Sequence, residues 1–293
     1  NSTKSFFMHY SEIIAGTMTW GKWGKALDIK QMAERIEASV SLGITSFDHA
    51  DIYGDYTTEA EFGAAFEQSG VDRASVQFIT KCGIQMTRGR DHQVKHYQYD
   101  YDYIISSVEQ SLEKLRTPYV DALLLHRPSP LMVPEEIGRA VASLLERKLI
   151  RSFGLSNFLP HQVDTIRRFT PVQVNQVQFS LSHTEVMYDG TLDQALSQAI
   201  VPMAWKPLGD LFDANDERTQ RIAKAAEPLC KKYDLSLAGL AIAFLKRHPS
   251  GVLPVVGTTD TDRLAALTKG ASVALELEDW FILLEASQGR RVP

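Results

Sequence analysis

Eight short apolar runs recur along the chain, each followed by a longer segment of helical period, and this alternation restricts the possible folds more than any other feature. The runs cover residues 13–16, 45–48, 76–81, 120–126, 150–155, 172–176, 200–205 and 252–256. Helices are predicted over 28–42, 103–115, 134–146, 160–169, 192–199, 217–233, 237–247, 261–267 and 277–287. In the first of these, Ile29, Met32, Ala33, Ile36 and Val40 share one face. Pro134 stands just inside the start of the third, where its missing N–H is harmless. Strands alternating with helices, with no composition break, predict one (β/α)8 barrel over residues 1–293 as a single domain. An open doubly wound sheet is the competing fold. If it bound a dinucleotide it would favour a Gly-rich turn after its first strand, and neither G-x-G-x-x-G nor a phosphate-loop motif occurs.

Composition narrows the function classes. A formal net charge of -5 argues against nucleic acid and anionic membrane as partners. No apolar run reaches the length of a membrane span, and the stretch from Asn1 to Met8 is too short in apolar residues to read as a signal peptide. Two cysteines, Cys82 and Cys230, give no disulfide framework, so a reducing cytoplasm is expected. Cys82 follows Lys81, which could lower a thiol pKa, but it reads better as a small buried apolar residue. A monomer or weak homo-oligomer is expected.

In a barrel of this kind the chemistry sits at the C-terminal ends of the strands. Four ionisable residues fall there. Asp48 closes the second run, Tyr53 follows it in Asp48-His49-Ala50-Asp51-Ile52-Tyr53-Gly54, Lys81 ends the third and His126 the fourth. Later runs end in Ser156-Asn157, Asn175-Gln176, Trp205-Lys206 and Gly257-Thr258-Thr259. Asn157 and Gln176 are suited to bond a carboxamide, and Trp205 to stack on a flat ring. Backbone N–H groups from Gly257 to Asp260 are suited to phosphate at a helix N-terminus.

These residues resemble the aldo-keto reductases over nearly the whole chain. The matching motifs are Phe47-Asp48-His49-Ala50-Asp51-Ile52-Tyr53-Gly54, Thr80-Lys81-Cys82-Gly83, Leu124-Leu125-His126-Arg127-Pro128, Gly154-Leu155-Ser156-Asn157 and Asn175-Gln176-Val177-Gln178. The chain looks most like the poorly characterised bacterial oxidoreductase branch. The resemblance implies hydride transfer from a nicotinamide cofactor to an aldehyde or ketone, with Asp48, Tyr53, Lys81 and His126 as the catalytic tetrad. The chemistry of the four agrees. A free phenol has a pKa of ~10 and is a poor acid at neutral pH. A neighbouring ammonium stabilises the phenolate, so Lys81, held by Asp48, is expected to lower the Tyr53 pKa. His126 would orient the carbonyl, and Tyr53 would protonate its oxygen.

The resemblance also implies a cofactor site of Gly16, Thr17, Met18, Ser156, Asn157, Gln176, Trp205, Pro207, Leu208, Gly257, Thr258, Thr259 and Arg263; Trp20 and Trp23, with Met18, follow the first strand and are expected to line the substrate pocket. Several positions depart from the family pattern. His49 stands where many members have Thr, Trp205 where Tyr is usual, and Gly257-Thr258 where a Lys-Ser pair binds the 2′-phosphate of NADP. Arg263 matches the downstream Arg that contacts this phosphate, whereas Ala266 and Leu267 replace the Glu and Asn that grip adenine. NADP is therefore the expected cofactor, carried mainly by Arg263, and NAD use with lower preference is expected. Other readings stand beside this one. A metal-dependent hydrolase would draw on Asp48, His49, Asp51, His126 and His183; a regulatory module would keep the cofactor site alone. No metal is expected, including at His92 and His96, which sit four apart in a presumed loop. Asp51 reads as structural. The Tyr-rich stretch 91–103 reads as a long loop ending in a helix cap at Asp100 or Asp102. The short tail 287–293 suggests an open pocket.

Overall fold

The computed structural model describes residues 10–213 and 215–293; the N-terminal stretch considered above as a leader lies outside the described residues. Eight parallel strands close a barrel, and they fall within two residues of the predicted runs at most boundaries. They are β1 (Ile14–Gly16), β2 (Ser46–Asp48), β3 (Gln77–Cys82), β4 (Ala122–Leu125), β5 (Phe153–Ser156), β6 (Val174–Gln178), β7 (Val201–Trp205) and β8 (Leu253–Val256). Each pairs in parallel with its neighbours in sequence, and β8 closes on β1 through Ile14 opposite Val255. The surrounding helices are α1 (Ile29–Ser41), α2 (Thr58–Ser69), α3 (Tyr101–Leu115), α4 (Pro134–Glu146), α5 (Pro160–Arg167), α6 (Thr191–Gln198), α7 (Glu217–Tyr233), α8 (Leu237–Lys246), α9 (Thr261–Ala271) and α10 (Leu277–Gln288).

Acceptor side chains set the starts of many helices. Asp28 accepts from the Gln31 N–H at 2.8 Å while the Gln31 side chain accepts from the Asp28 N–H, a reciprocal cap on α1. Asp100, Asp216, Ser236 and Asp260 cap α3, α7, α8 and α9 in the same sense, each worth about 1 kcal/mol. Of the two caps proposed for the Tyr-rich stretch, Asp100 is the one used.

Two elements depart from the sequence reading. Helix α2 is not predicted, because its buried aromatic face, Phe62 and Phe66, is short and it lacks a side-chain cap. The chain enters it through three successive left-handed residues, Gly54, Asp55 and Tyr56. The second departure lies after β3, where a two-stranded hairpin pairs Ile84 with Tyr97 and Gln85 with His96, its second strand falling inside the presumed loop. Two tyrosines just past it are buried and tie it to the barrel. The Tyr103 hydroxyl accepts from the Gly83 N–H at 3.1 Å. The Tyr99 hydroxyl accepts from the Arg127 N–H at 3.1 Å and donates to the Arg127 carbonyl. Gly83 has φ +115°, and a Cβ there would fall 2.1 Å from the Tyr99 ring, so only glycine fits this junction.

Candidate active site

Strand parity explains why the rim residues converge. Inside the barrel, Ile14, Ile79, Leu124, Val174, Met203 and Val255 form one apolar cluster. Side chains alternate across a strand, so the residue two places on points the same way. Two places on from these six stand Gly16, Lys81, His126, Gln176, Trp205 and Gly257. On β2 and β5, Phe47, Phe153 and Leu155 join the outer core beneath the helices, which leaves Asp48 and Ser156 facing inward. One layer above the apolar interior is therefore polar, and all of these residues except Lys81 line a cavity of about 640 Å³.

Lys81 lies just beneath that cavity and is 1% exposed. Its ammonium donates to Asp48 Oδ1 at 2.8 Å, Asp48 Oδ2 at 2.7 Å, the His49 carbonyl at 2.9 Å and the Tyr53 hydroxyl at 3.2 Å. Asp48 Oδ1 also accepts from Gln176 Nε2 at 2.8 Å. Tyr53 is brought over Lys81 by a tight turn after β2, in which Gly54 has φ +63° and a Cβ would meet Thr58 Oγ1 at 2.4 Å. The Tyr53 and His126 rings stand edge to face, 6.3 Å between centroids. The four expected residues are thus gathered at one place.

Burial dominates the electrostatics here. It works against the Lys81 ammonium, but the charges and hydrogen bonds of Asp48 and Tyr53 outweigh it and raise the Lys81 pKa above its ordinary value. Burial also pushes the Tyr53 phenol up; Lys81 pulls it down without reversing the direction, and the Asp48 charge adds to the rise. The net lowering expected from the ammonium alone is therefore corrected: in this pocket, desolvation of the phenolate wins. Burial, with the charges of Lys81, Arg127 and Lys95, pushes His126 well below its ordinary value, so it is neutral. Burial raises the Cys82 thiol well above its ordinary value and makes it an inert core residue.

Around the tetrad, most of the expected cofactor positions line the cavity: Gly16, Met18, Ser156, Asn157, Gln176, Trp205, Pro207, Leu208, Gly257 and Thr258. The amides of Asn157 and Gln176 are engaged within the protein. Asn157 Nδ2 donates to Ser156 Oγ at 2.9 Å and to the His126 carbonyl at 3.3 Å, and its Oδ1 accepts from Trp205 Nε1 at 2.8 Å. That last bond fixes the Trp205 ring against the cavity.

Other expected positions fall elsewhere. Thr17 is fully buried, with Oγ1 donating to the Asp48 carbonyl and bonded to His49 Nδ1, both at 3.0 Å, so it braces the strand from behind. Thr259 and Arg263 lie outside the cavity lining, Arg263 exposed in the first turn of α9. Trp20 does not line the pocket either. It is 1% exposed and packs against Phe47 and Phe62 in the outer core, because the turn after β1 directs it towards the helices. Trp23 does line the cavity, its Nε1 donating to Asp55 Oδ1 at 2.9 Å.

The ligand set of a metal hydrolase is not assembled. His49 points into the outer core against Phe62, Asp48 is held by Lys81, and His183 lies beside Glu185 at 3.3 Å. Among the described residues no group of three or more His, Cys, Asp or Glu is placed to hold a metal ion. Asp51 is buried behind the site, where burial and the nearby Glu59 raise its pKa well above its ordinary value. Residues that the sequence reading missed include Ile84, Met86, Lys95 and Arg127 in the cavity lining, and Arg35, whose Nη1 donates to Thr261 Oγ1 at 2.7 Å beside the start of α9. Arg127 lay within a quoted motif; the others carry no local signal, since only the fold brings them there.

The Aldo/keto reductase family model matches residues 12–287. The chain belongs to this family. Its curated relatives are oxidoreductases, and as an aldo/keto reductase family member it is 37% identical to an uncharacterized oxidoreductase of Bacillus subtilis, YcsN, over 98% of this chain and 97% of that one. It is 35% identical to a 6-dehydroglucose reductase of Agrobacterium fabrum over 88% of each chain. Among solved structures, an aldo/keto reductase from Klebsiella pneumoniae in complex with NADP and acetate superposes on this family member with a TM-score of 0.79. The superposition covers 97% of this chain and 93% of that one at 22% identity, a likeness of fold. Among the described residues of this aldo/keto reductase, no helix is long and apolar enough to cross a membrane.

Proposed function

We propose that the protein is an NADP(H)-dependent oxidoreductase that reduces an aldehyde or ketone to an alcohol, with Tyr53 as general acid. One observation carries this reading: a buried ammonium is shared between a carboxylate and a phenol at the floor of an open cavity. The relative named a 6-dehydroglucose reductase supports the reaction class, and the Klebsiella protein's complex supports the cofactor.

The residues present fit a dinucleotide. Trp205 offers a fixed ring face to the cavity. A Cβ at Gly257 would meet only Thr19 Oγ1, at 3.6 Å, so the backbone there is open to close approach. Arg35 and Arg263 flank the N-terminus of α9, which favours an anion. A reduced nicotinamide, when bound, would supply hydride to the carbonyl carbon. His126, neutral, donates a hydrogen bond that orients the carbonyl oxygen. Tyr53 passes its proton to that oxygen, and the phenolate left behind is stabilised by the Lys81 ammonium until solvent returns the proton. Asp48 and Gln176 hold Lys81 and its partner in place.

The cofactor assignment is tested by titrating the protein with NADPH and NADH while following tryptophan emission. NADPH is expected to bind more tightly, and Arg263→Ala to weaken NADPH about ten-fold through loss of one charged contact, with a much smaller effect on NADH. Equal losses for both would remove the case for NADP. The pH profile gives a second test. A phenol raised above ~10 stays protonated, and a histidine held below ~6.5 stays neutral, so kcat/KM for reduction should be flat from roughly pH 7 to 9. A bell centred near neutrality would contradict these assignments.

A further inference from the structure

Among the described residues, three cations outside the tetrad line the cavity: Lys95, Arg127 and Lys206. Lys95 lies in the segment between the two strands of the hairpin, and Arg127 directly follows His126; both line the cavity. Among the described residues neither has an acidic partner within ion-pair distance, although thirteen such pairs occur elsewhere. The contrast within the same cavity is informative. Lys206 is matched by Asp210 at 2.7 Å, and Asp48, the one carboxylate in the lining, is held by Lys81. Left without an acidic partner, the exposed Lys95 and half-buried Arg127 give this side of the cavity an excess of positive charge that complements an anionic ligand.

Their placement is built rather than incidental. Tyr99 grips the Arg127 backbone through both its N–H and its carbonyl, and the Arg127 guanidinium lies 5.7 Å from the Trp205 ring centroid. The same short connection from hairpin to α3 therefore sets Arg127 and carries the strand that Lys95 precedes. Both charges are felt at His126, where the carbonyl is to be held. They stand on the β3–β4 side of the rim. Gly257, Thr258 and Arg263 stand beyond β8, three to four strands round the barrel, so the cofactor's phosphates have separate partners.

Building on the reductase reading, we infer that this site takes an anionic carbonyl substrate, an aldehyde or ketone bearing a carboxylate or phosphate that Lys95 and Arg127 hold while His126 and Tyr53 engage the carbonyl. The reaction is unchanged: the carbonyl gains a hydride and a proton, and the anion is a spectator that fixes orientation.

The test compares matched pairs with NADPH: 4-oxobutanoate against its methyl ester, and glyceraldehyde 3-phosphate against glyceraldehyde. At least one anion should exceed its neutral partner about ten-fold in kcat/KM, chiefly through KM, and the pair that does so identifies carboxylate or phosphate. Lys95→Met and Arg127→Met should each cut that anion-to-neutral ratio several-fold, and raised salt should cut it too. Equal turnover within both pairs, or variants that leave the ratio intact, would overturn the inference. If no carbonyl is reduced at all, the reductase reading fails instead. Tryptophan quenching of the NADPH-loaded protein by the same pairs then decides the anion site: preference for the anions supports it, and equal binding overturns it. Lys95 is exposed, so its variant tests the charge without endangering the fold.

Discussion

Tyr53→Phe is expected to lower the rate of carbonyl reduction by about 10²–10⁴-fold, the usual contribution of a positioned general acid, while NADPH affinity changes by less than about two-fold. The two halves of that expectation come from the same geometry. The hydroxyl removed is the only group proposed to deliver a proton to the carbonyl oxygen. Its loss leaves the Lys81 ammonium with both Asp48 oxygens and the His49 carbonyl as acceptors, so the floor of the cavity keeps its shape. The ring itself stays packed against Trp23 and His126. Rapid-mixing measurement of the hydride step beside a cofactor titration separates the two quantities. Turnover within a few-fold of the parent would refute the assignment of Tyr53 as acid.

Lys81→Met is expected to cost the fold about 3–5 kcal/mol as well as abolishing reduction, because it leaves a buried carboxylate without its counter-charge. Asp48 is 1% exposed, and its remaining side-chain partner would be the Gln176 amide. A single neutral donor does not replace an ammonium that reaches both carboxylate oxygens. Adding Asp48→Asn to the same chain removes the stranded charge and should recover much of the lost stability while leaving activity absent. Urea unfolding of the parent, the two single variants and the double variant closes this cycle. If Lys81→Met unfolds at the parent's midpoint, the pair contributes nothing and Lys81 is not holding the site together electrostatically.

What could be read from the sequence followed from period and position. The apolar runs located every barrel strand, and the polar residues at their C-terminal ends marked the rim; the period of two explains in the structure why those residues face inward. Asp48, Lys81, His126, Ser156, Gln176 and Trp205 were legible for that reason. The rule stops where strands stop. Trp20 and Thr17 lie in the turn after β1, where no period applies, and they pack outward instead of lining the pocket. The direction of the Tyr53 shift was misjudged because a sequence displays the neighbouring ammonium but not the depth of burial that competes with it. Lys95 and Arg35 carry no motif at all. Their relevance depends on a hairpin and a helix start whose positions only tertiary packing defines.

The alternation of inward and outward positions also bears on how a gene for such a protein can vary in length. Deleting one residue from β3 upstream of Lys81 would slide the lysine to an outward position and turn the buried thiol of Cys82 towards Asp48. Every strand that carries a rim residue is under the same arithmetic, since an odd shift exchanges its two faces. Insertions and deletions should therefore be tolerated only beyond the strand ends, as in the stretch from Met86 to Lys95. Lineages descended from this chain can lengthen or shorten there and reshape the cavity while the frame that gathers Asp48, Tyr53, Lys81 and His126 stays fixed.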